Sequence, residues 1–402
     1  MDRELARCIG ERVRFCRVAA DKTQPVIAGL AGISVDYLYQ IERGTKLPTV
    51  GVLVELARVL EQPIGVLLNN APATASQPVP GAAGDELRRA LTLPVVDTGP
   101  VDLSGLNDSI GVAWHTWQTS PQRYSRLVRD LPRLITAVEW ALRTIRSDDE
   151  AGGRRYLYRC AADLYALVRS VTKRLGRVDL ALLAADRAIR AGEAADDPLR
   201  LAVSRWNLAQ VLLADEEPES AETVALHGAQ ELEAATADDD LDAVALRGSL
   251  LLVAAIAAAR RGDRWVAHDR VRLVEPLARR TGERNTLWTA FGPTNVKMFA
   301  VSVAVETGDT AEGLRLAEQV DHDSSPSIER RVAFLIDQAK GYEQRRDFAG
   351  ALMMVSAAER QAPEDVRHRP AARAVLSRLV QRGRRTVAGE AARLATRIGV
   401  PL

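Results

Sequence analysis

The stretch at residues 23–44, TQPVIAGLAGISVDYLYQIERG, limits what this chain can fold into more than any other segment. Apolar Ile27, Leu30 and Ala31 predict a short helix over residues 24–31. Gly32 then supplies the left-handed residue that ends a helix without steric cost. Ile33 plugs the turn, and Ser34 is a good N-cap for a second helix. That helix places Leu38 and Ile41, three apart, on its inner face. It leaves Val35, Asp36, Tyr39 and Gln40 on the other face, and Arg43-Gly44 ends it. Two short helices at such a turn suit contact with a duplex, where one crosses the phosphates and the other offers side chains to base edges.

The flanks continue in the same style. Leu5, Ile9 and Val13 recur every four residues and predict an amphipathic helix over residues 3–18. Pro48-Thr49 opens another helix, with Val52, Leu53, Leu56, Ala57 and Leu60 inward, and residues 63–68 give a short fifth. The register of Gln24, Ala28, Gly32, Ser34, Leu38, Glu42, Gly44 and Pro48 resembles the Cro/Xre-type repressors over residues 3–68. Pro25 departs from that pattern but falls in a first helical turn, where proline is tolerated. The resemblance implies DNA contact through Gln24, Ser34, Val35, Asp36, Tyr39, Gln40, Arg43 and Lys46. Gln24 and Lys46 are expected on phosphate, with Val35, Asp36, Tyr39 and Gln40 toward the groove. Gln40 suits adenine; Asp36 either accepts from a cytosine amine or sits at the helix N-terminus as a capping charge.

The charge of this segment adds little. Residues 1–70 carry nine basic against eight acidic side chains, and the whole chain is +1. Phosphate attraction alone is therefore modest, and tight binding calls for a dimer on a specific site.

Three cysteines, Cys8, Cys16 and Cys160, are too few and scattered for a disulfide framework. Cys8 and Cys16 lie about 12 Å apart by helical rise, beyond bridging distance, and are expected as buried free thiols. No uninterrupted apolar run is long enough to span a bilayer; the longest, at residues 249–259, is bounded by Arg247 and Arg260. A cytoplasmic protein without membrane attachment is expected. His115, His227, His268, His322 and His368 have no partner at metal-ligand spacing, and Ser170-x-x-Lys173 lacks companion motifs. No phosphate-binding loop, dinucleotide fingerprint or nucleophile elbow occurs, so neither an enzyme nor a cofactor is expected.

Residues 69–84, NNAPATASQPVPGAAG, read as a linker, with a short helix at 85–93 inside a connection running to residue 106. From residue 107 to the end, helices follow one another. Gly176, Glu216, Gly262, Gly308 and Arg346 each begin a turn. Five residues after each stands a small residue: Ala181, Ala221, Ala267, Gly313 and Ala351. Seven further on come Ala188, Gly228, Val274, Val320 and Ala358. Small residues at fixed offsets let antiparallel helices approach, and stacked pairs make a solenoid. The pattern resembles tetratricopeptide repeats, with units lengthened beyond the usual period and Pro363 in the closing-proline position. Residues 107–150 are expected to cap one end and residues 387–398 the other.

The expected fold is thus all-α: a five-helix DNA-binding domain at 1–68, a linker at 69–106 and a right-handed, tetratricopeptide-like solenoid at 107–402. The combination is similar to the peptide-pheromone receptors of Gram-positive bacteria, and to a regulator family of high-GC bacteria that shares motifs such as FGPTNV, here Phe291 to Val296. The resemblance implies a homodimer on a palindromic operator in double-stranded DNA, controlled by a peptide or small molecule in the repeat groove. Candidate effector contacts are Trp114, Trp117, Trp206, Asn207, Trp288, Phe291 and Asn295. Asn207 offers a peptide backbone both a donor and an acceptor, or bonds to a neighbouring helix. Gly292-Pro293 breaks helical regularity. The alternative is an interaction scaffold whose groove holds a partner protein, with DNA binding secondary.

Overall fold

The computed structural model describes residues 2–62, 64–68, 82–94, 97, 99, 101–145 and 151–400. Pro63, residues 69–81 of the expected linker, its residues 95, 96, 98 and 100, and residues 146–150 lie outside them. The described residues form helices joined by turns and loops, with no β-strand among them. The chain divides into two compact units: residues 1–77 with 339–402, and residues 78–338. The division falls inside the stretch 107–402 that the sequence groups together.

The N-terminal part of the first unit holds α1 (Asp2–Ala19), α2 (Gln24–Leu30), α3 (Val35–Glu42), α4 (Val50–Val59) and α5 (Ile64–Leu68). Ile9, Val13, Ile27, Leu38, Ile41, Leu53 and Leu56 meet in one core. Leu30, one of the three apolar residues that predict α2, is 54% exposed. At about 100° per residue, Ile27, Ala28 and Ala31 form one continuous arc, and Leu30 falls outside it. Ala28 takes the buried place instead. Ser34 caps α3 by accepting from the Tyr37 N–H, and Thr49 caps α4 by accepting from the Val52 N–H.

The second unit holds α6 (Ala82–Thr92), α7 (Leu103–Thr119), α8 (Arg123–Thr144), α9 (Ala151–Arg174), α10 (Val178–Ala194), α11 (Pro198–Ala214), α12 (Pro218–Ala235), α13 (Leu241–Arg260), α14 (Arg264–Thr281), α15 (Pro293–Glu306), α16 (Thr310–Ala317) and the start of α17 (Ile328–Gln344). Successive helices pack as neighbours from α9 to α16. Gly176, Glu216, Gly262 and Gly308 each have positive φ, between 64° and 83°, at the turn within a pair. Ala181, Ala221 and Ala267 are fully buried where the second helix of each pair meets the first. The pattern shortens at the fourth pair. The repeat spacing places Val320 within a helix, but α16 stops at Ala317 and Val320 follows it in the connection to α17. The long apolar helix α13 has the length and composition to cross a membrane, but 78% of its most apolar window is buried by its neighbours. It packs against α11, α12, α14 and α15.

The first unit is completed by α18 (Phe348–Gln361), α19 (Pro363–Arg367), α20 (Pro370–Arg382) and α21 (Arg385–Ile398). The turn at Arg346 again has positive φ, at 62°, and Ala351 and Ala358 are fully buried. Pro363 opens the short helix α19. The final helix α21 buries Ala388, Ala391, Ala392, Ala395 and Ile398, and packs on α18, α20 and, from the other end of the chain, α1.

Candidate DNA interface and effector site

The two helices of the reading motif are held by a small polar network. Arg17 donates from Nε to Glu42 Oε1 at 2.6 Å and from Nη2 to Oε2 at 2.9 Å, while Gln24 donates its Nε2 to Glu42 Oε2 at 2.7 Å. Glu42 is buried, and a buried carboxylate is stable only when paired and hydrogen-bonded in this way. This fixes the start of α2 against the end of α3. It also engages the amide nitrogen of Gln24, the residue expected on phosphate. Close backbone approach does the rest. A Cβ on Gly10 would lie 2.0 Å from the Ile41 carbonyl, and one on Gly44 would lie 2.5 Å from Arg7 Cα. Gly44 also has φ +67°. Nothing in the sequence pattern marks Gly10, because it sits mid-helix on a plain amphipathic repeat.

On the outer side of α3, Val35, Asp36 and Tyr39 are exposed and Gln40 half-buried. Gln40 Nε2 donates to Asp36 Oδ2 at 2.7 Å. Ser34 supplies the side-chain cap, and Asp36 stands in the first turn of α3, where its carboxylate also orients Gln40. Arg43 Nη1 donates to Tyr39 Oη at 2.8 Å, and Lys46 Nζ stands 5.6 Å from the centre of the Tyr37 ring. Two cations therefore flank the exposed face from its C-terminal end. Val35, Asp36, Tyr39, Gln40, Arg43 and Lys46 lie together, and Ser34 and Gln24 also hold the fold of the motif.

The candidate effector residues fall in the second unit, in two separate cores. Trp114 is buried on α7, donates its indole N–H to the Asp163 carbonyl at 2.9 Å and stacks on Trp288, with centroids 5.7 Å apart and rings 4° from parallel. Trp117 meets Tyr124 edge-on at 5.3 Å, and Arg123 lies over its ring at 4.4 Å. Trp206 and Phe291 belong to the second core. Phe291 is fully buried against Gly248, where an added Cβ would lie 2.2 Å from the ring. It is a packing residue and lines no open surface. Asn207 and Asn295 are both buried, and each has an Oδ1 without a hydrogen-bond partner.

The segment between α14 and α15 explains the odd sequence around Gly292-Pro293. Leu287, Trp288 and Ala290 all have positive φ, at 44°, 68° and 53°. Each costs about 1–3 kcal/mol for a residue with a side chain. The distortion is held by Gln118 of α7, whose Oε1 accepts from Asn285 Nδ2 at 2.7 Å and whose Nε2 donates to the Trp288 carbonyl at 3.0 Å. A Cβ on Gly292 would lie 2.3 Å from Glu283 Oε2, and the Glu283 carboxylate accepts the Thr294 N–H at the start of α15. Phe291 to Val296 is thus a splice that plugs the core, turns and restarts a helix.

The thiols are free, with Cys8 half-buried and Cys16 and Cys160 buried. Burial pushes both Cys16 and Cys160 up to about 11. Such thiols are poor nucleophiles at neutral pH.

The helix pair with its exposed face has the geometry of a helix–turn–helix DNA-binding domain. Residues 9–69 match the family model described as a helix-turn-helix domain. A search of curated proteins gives no match. Among solved structures, PlcR of Bacillus thuringiensis in complex with the peptide PapR7 and DNA is similar at 12% identity, covering 88% of this chain and 99% of that one, with a TM-score of 0.34. Apo ComR of Streptococcus vestibularis is similar at 14% identity over 71% of this chain and 95% of that one, with a TM-score of 0.22. Apo ComR of S. thermophilus is similar at 13% identity over 90% and 97%, with a TM-score of 0.24.

Proposed function

We propose that the chain is a ligand-responsive transcriptional regulator that binds a palindromic operator as a homodimer. The observation that carries this is the outer face of α3, where Val35, Asp36, Tyr39 and Gln40 stand clear of the core beside Arg43 and Lys46. Near-neutral charge over the domain makes one copy a weak binder, and a two-fold pair doubles the contacts without new chemistry. The helical-repeat region is the sensing part. Its buried, unpartnered amides at Asn207 and Asn295 suit a peptide or small molecule that brings its own donors. A ligand acts by binding the DNA-competent and incompetent states unequally. The place of action is the cytoplasm, where the operator is.

Genome-wide footprinting of the tagged full-length protein tests the reading. Discrete sites with two-fold symmetry, half-sites one helical turn or a multiple apart, are the expected result. Coverage that follows DNA accessibility with no discrete sites overturns it.

A further inference from the structure

The second unit has two hydrophobic cores, one built on α6 to α10 and the other on α11 to α15. They are joined in two ways. The first joint is the packing of α9 and α10 on α11. It is pinned by Arg200, whose Nε donates to Asp163 Oδ1 at 3.0 Å, and by Lys173, whose Nζ donates to Gln210 Oε1 at 3.2 Å. The second joint is the short segment at residues 285–290, which follows α14 and meets the end of α7. Adjacent side chains of this segment go to different cores: Leu287 packs on the second and Trp288 on the first.

The two joints differ in kind. The first is ordinary helix packing. The second holds Leu287, Trp288 and Ala290 in the left-handed region, which opposes any side chain. The restraint comes from α7. Buried Gln118 donates from Nε2 to the Trp288 carbonyl at 3.0 Å and to Asn285 Oδ1 at 3.2 Å, and its Oε1 accepts from Asn285 Nδ2 at 2.7 Å. Asn285 Oδ1 in turn accepts the Ala290 N–H at 3.1 Å, and the Trp288 ring lies flat on Trp114. The start of the segment belongs to the other side, since Arg284 and Thr286 both donate to Asp242 Oδ1 of α13. One amide pair and one ring stack therefore hold a strained backbone across two cores. Strain persists only where its surroundings impose it, and with so few restraints a second arrangement lies close in free energy.

We propose that residues 285–290 are a clasp with two states. In the closed state, the one described, α7 grips the segment and the two cores are joined twice. In the open state Gln118 and Trp114 release it, Leu287, Trp288 and Ala290 return to ordinary backbone angles, and the cores pivot about α9. This goes beyond the reading of the repeat region as the sensing part: it concerns a change of shape that the region makes by itself, without DNA or effector.

Two substitutions push the clasp in opposite directions. Ala290→Gly removes the side chain that the left-handed backbone opposes and favours the closed state, whereas Gln118→Ala removes the grip and favours the open one. Dyes are placed on the full-length protein at Val112→Cys of α7 and Leu273→Cys of α14, both exposed positions, with Cys8→Ser in the background. Labelled protein is diluted into unlabelled protein, so that single-molecule energy transfer reads distances within one chain. Two interconverting transfer efficiencies are expected. The ratio of open to closed falls about fivefold in Ala290→Gly and rises about tenfold or more in Gln118→Ala. Hydrogen exchange at residues 285–290 and at the end of α7 moves in step with it, while α9 does not change. A single transfer efficiency shared by all three proteins overturns the clasp, as does a shift of the same sign for both substitutions. Faster exchange in Gln118→Ala confined to residues 285–290, with unchanged transfer, assigns Gln118 to local order and overturns the pivot. Each outcome is read without DNA and is independent of the operator footprints.

Discussion

Single side chains decide both what the exposed face of α3 presents and what the rest of the chain can tolerate. Gln40 is pre-positioned by Asp36, so its amide is oriented before any duplex arrives. Gln40→Ala is expected to cost about 1–3 kcal/mol of operator affinity and to relax preference at one base pair. Competition binding across single-base operator variants checks this, and an equal loss on every variant places Gln40 on phosphate. Gly10 is a different kind of residue, since its missing Cβ is what lets α1 lie on the Ile41 carbonyl. Gly10→Ala is expected to destabilise the helix–turn–helix domain by roughly 1–3 kcal/mol through overpacking, in spite of alanine's better helix propensity. Thermal unfolding of the variant measures it; a raised melting temperature contradicts it. His368 responds to pH. Burial, and then the nearby Arg367, holds its imidazole down at about 4 against an ordinary 6.5. Unfolded chain thus takes up this proton first as pH falls. The stability from a neutral His368 is complete above about 6.5, declines on the way to about 4 and is absent below. The difference is on the order of 3 kcal/mol. Wild type is expected to lose this much more than His368→Gln between those pH values in urea unfolding; parallel losses rule it out.

Elements differ in how openly the sequence announces them. The helix pair of the reading motif is legible because each part has a local chemical cause: Gly32 at a left-handed position, Ser34 as a cap, Leu38 and Ile41 on one face. The repeat turns are legible for the same reason, since Gly176, Glu216, Gly262, Gly308 and Arg346 all have positive φ. What the sequence hides depends on distant partners. The Arg17–Glu42–Gln24 network joins side chains up to 25 residues apart, and no periodicity points to it. Phe291 reads as a groove residue in the sequence, but only the position of Gly248 on another helix shows that it is a plug. The splice between α14 and α15 stores strain that Gln118 and Asn285 restrain. Gln118→Ala removes the hydrogen bonds to Asn285 and to the Trp288 carbonyl at once. It is expected to raise amide exchange at residues 285–290 about tenfold or more while leaving α13 protected. Hydrogen exchange read by mass spectrometry distinguishes this from a global loss.

At the scale of the molecule, the decisive feature is that the compact unit bearing the reading helices is built from both ends of the chain. A linear reading cannot see this, because composition and repeat spacing describe neighbours in sequence, and α21 and α1 are as far apart as the chain allows. Removing residues 384–402 takes away the small-residue face of α21 and uncovers part of α1. The truncated protein is expected to melt lower by several degrees and to bind operator more weakly, although no DNA-facing residue has changed. Unaltered melting and affinity would show that α21 adds nothing to the head. Synthesis gives this arrangement a temporal meaning. The ribosome makes α1 before α21, so one side of α1 waits through the making of residues 20–384 before its cover exists. A protein broken off early carries the reading helices without that cover. The packing of α1 thereby registers whether synthesis has reached α21.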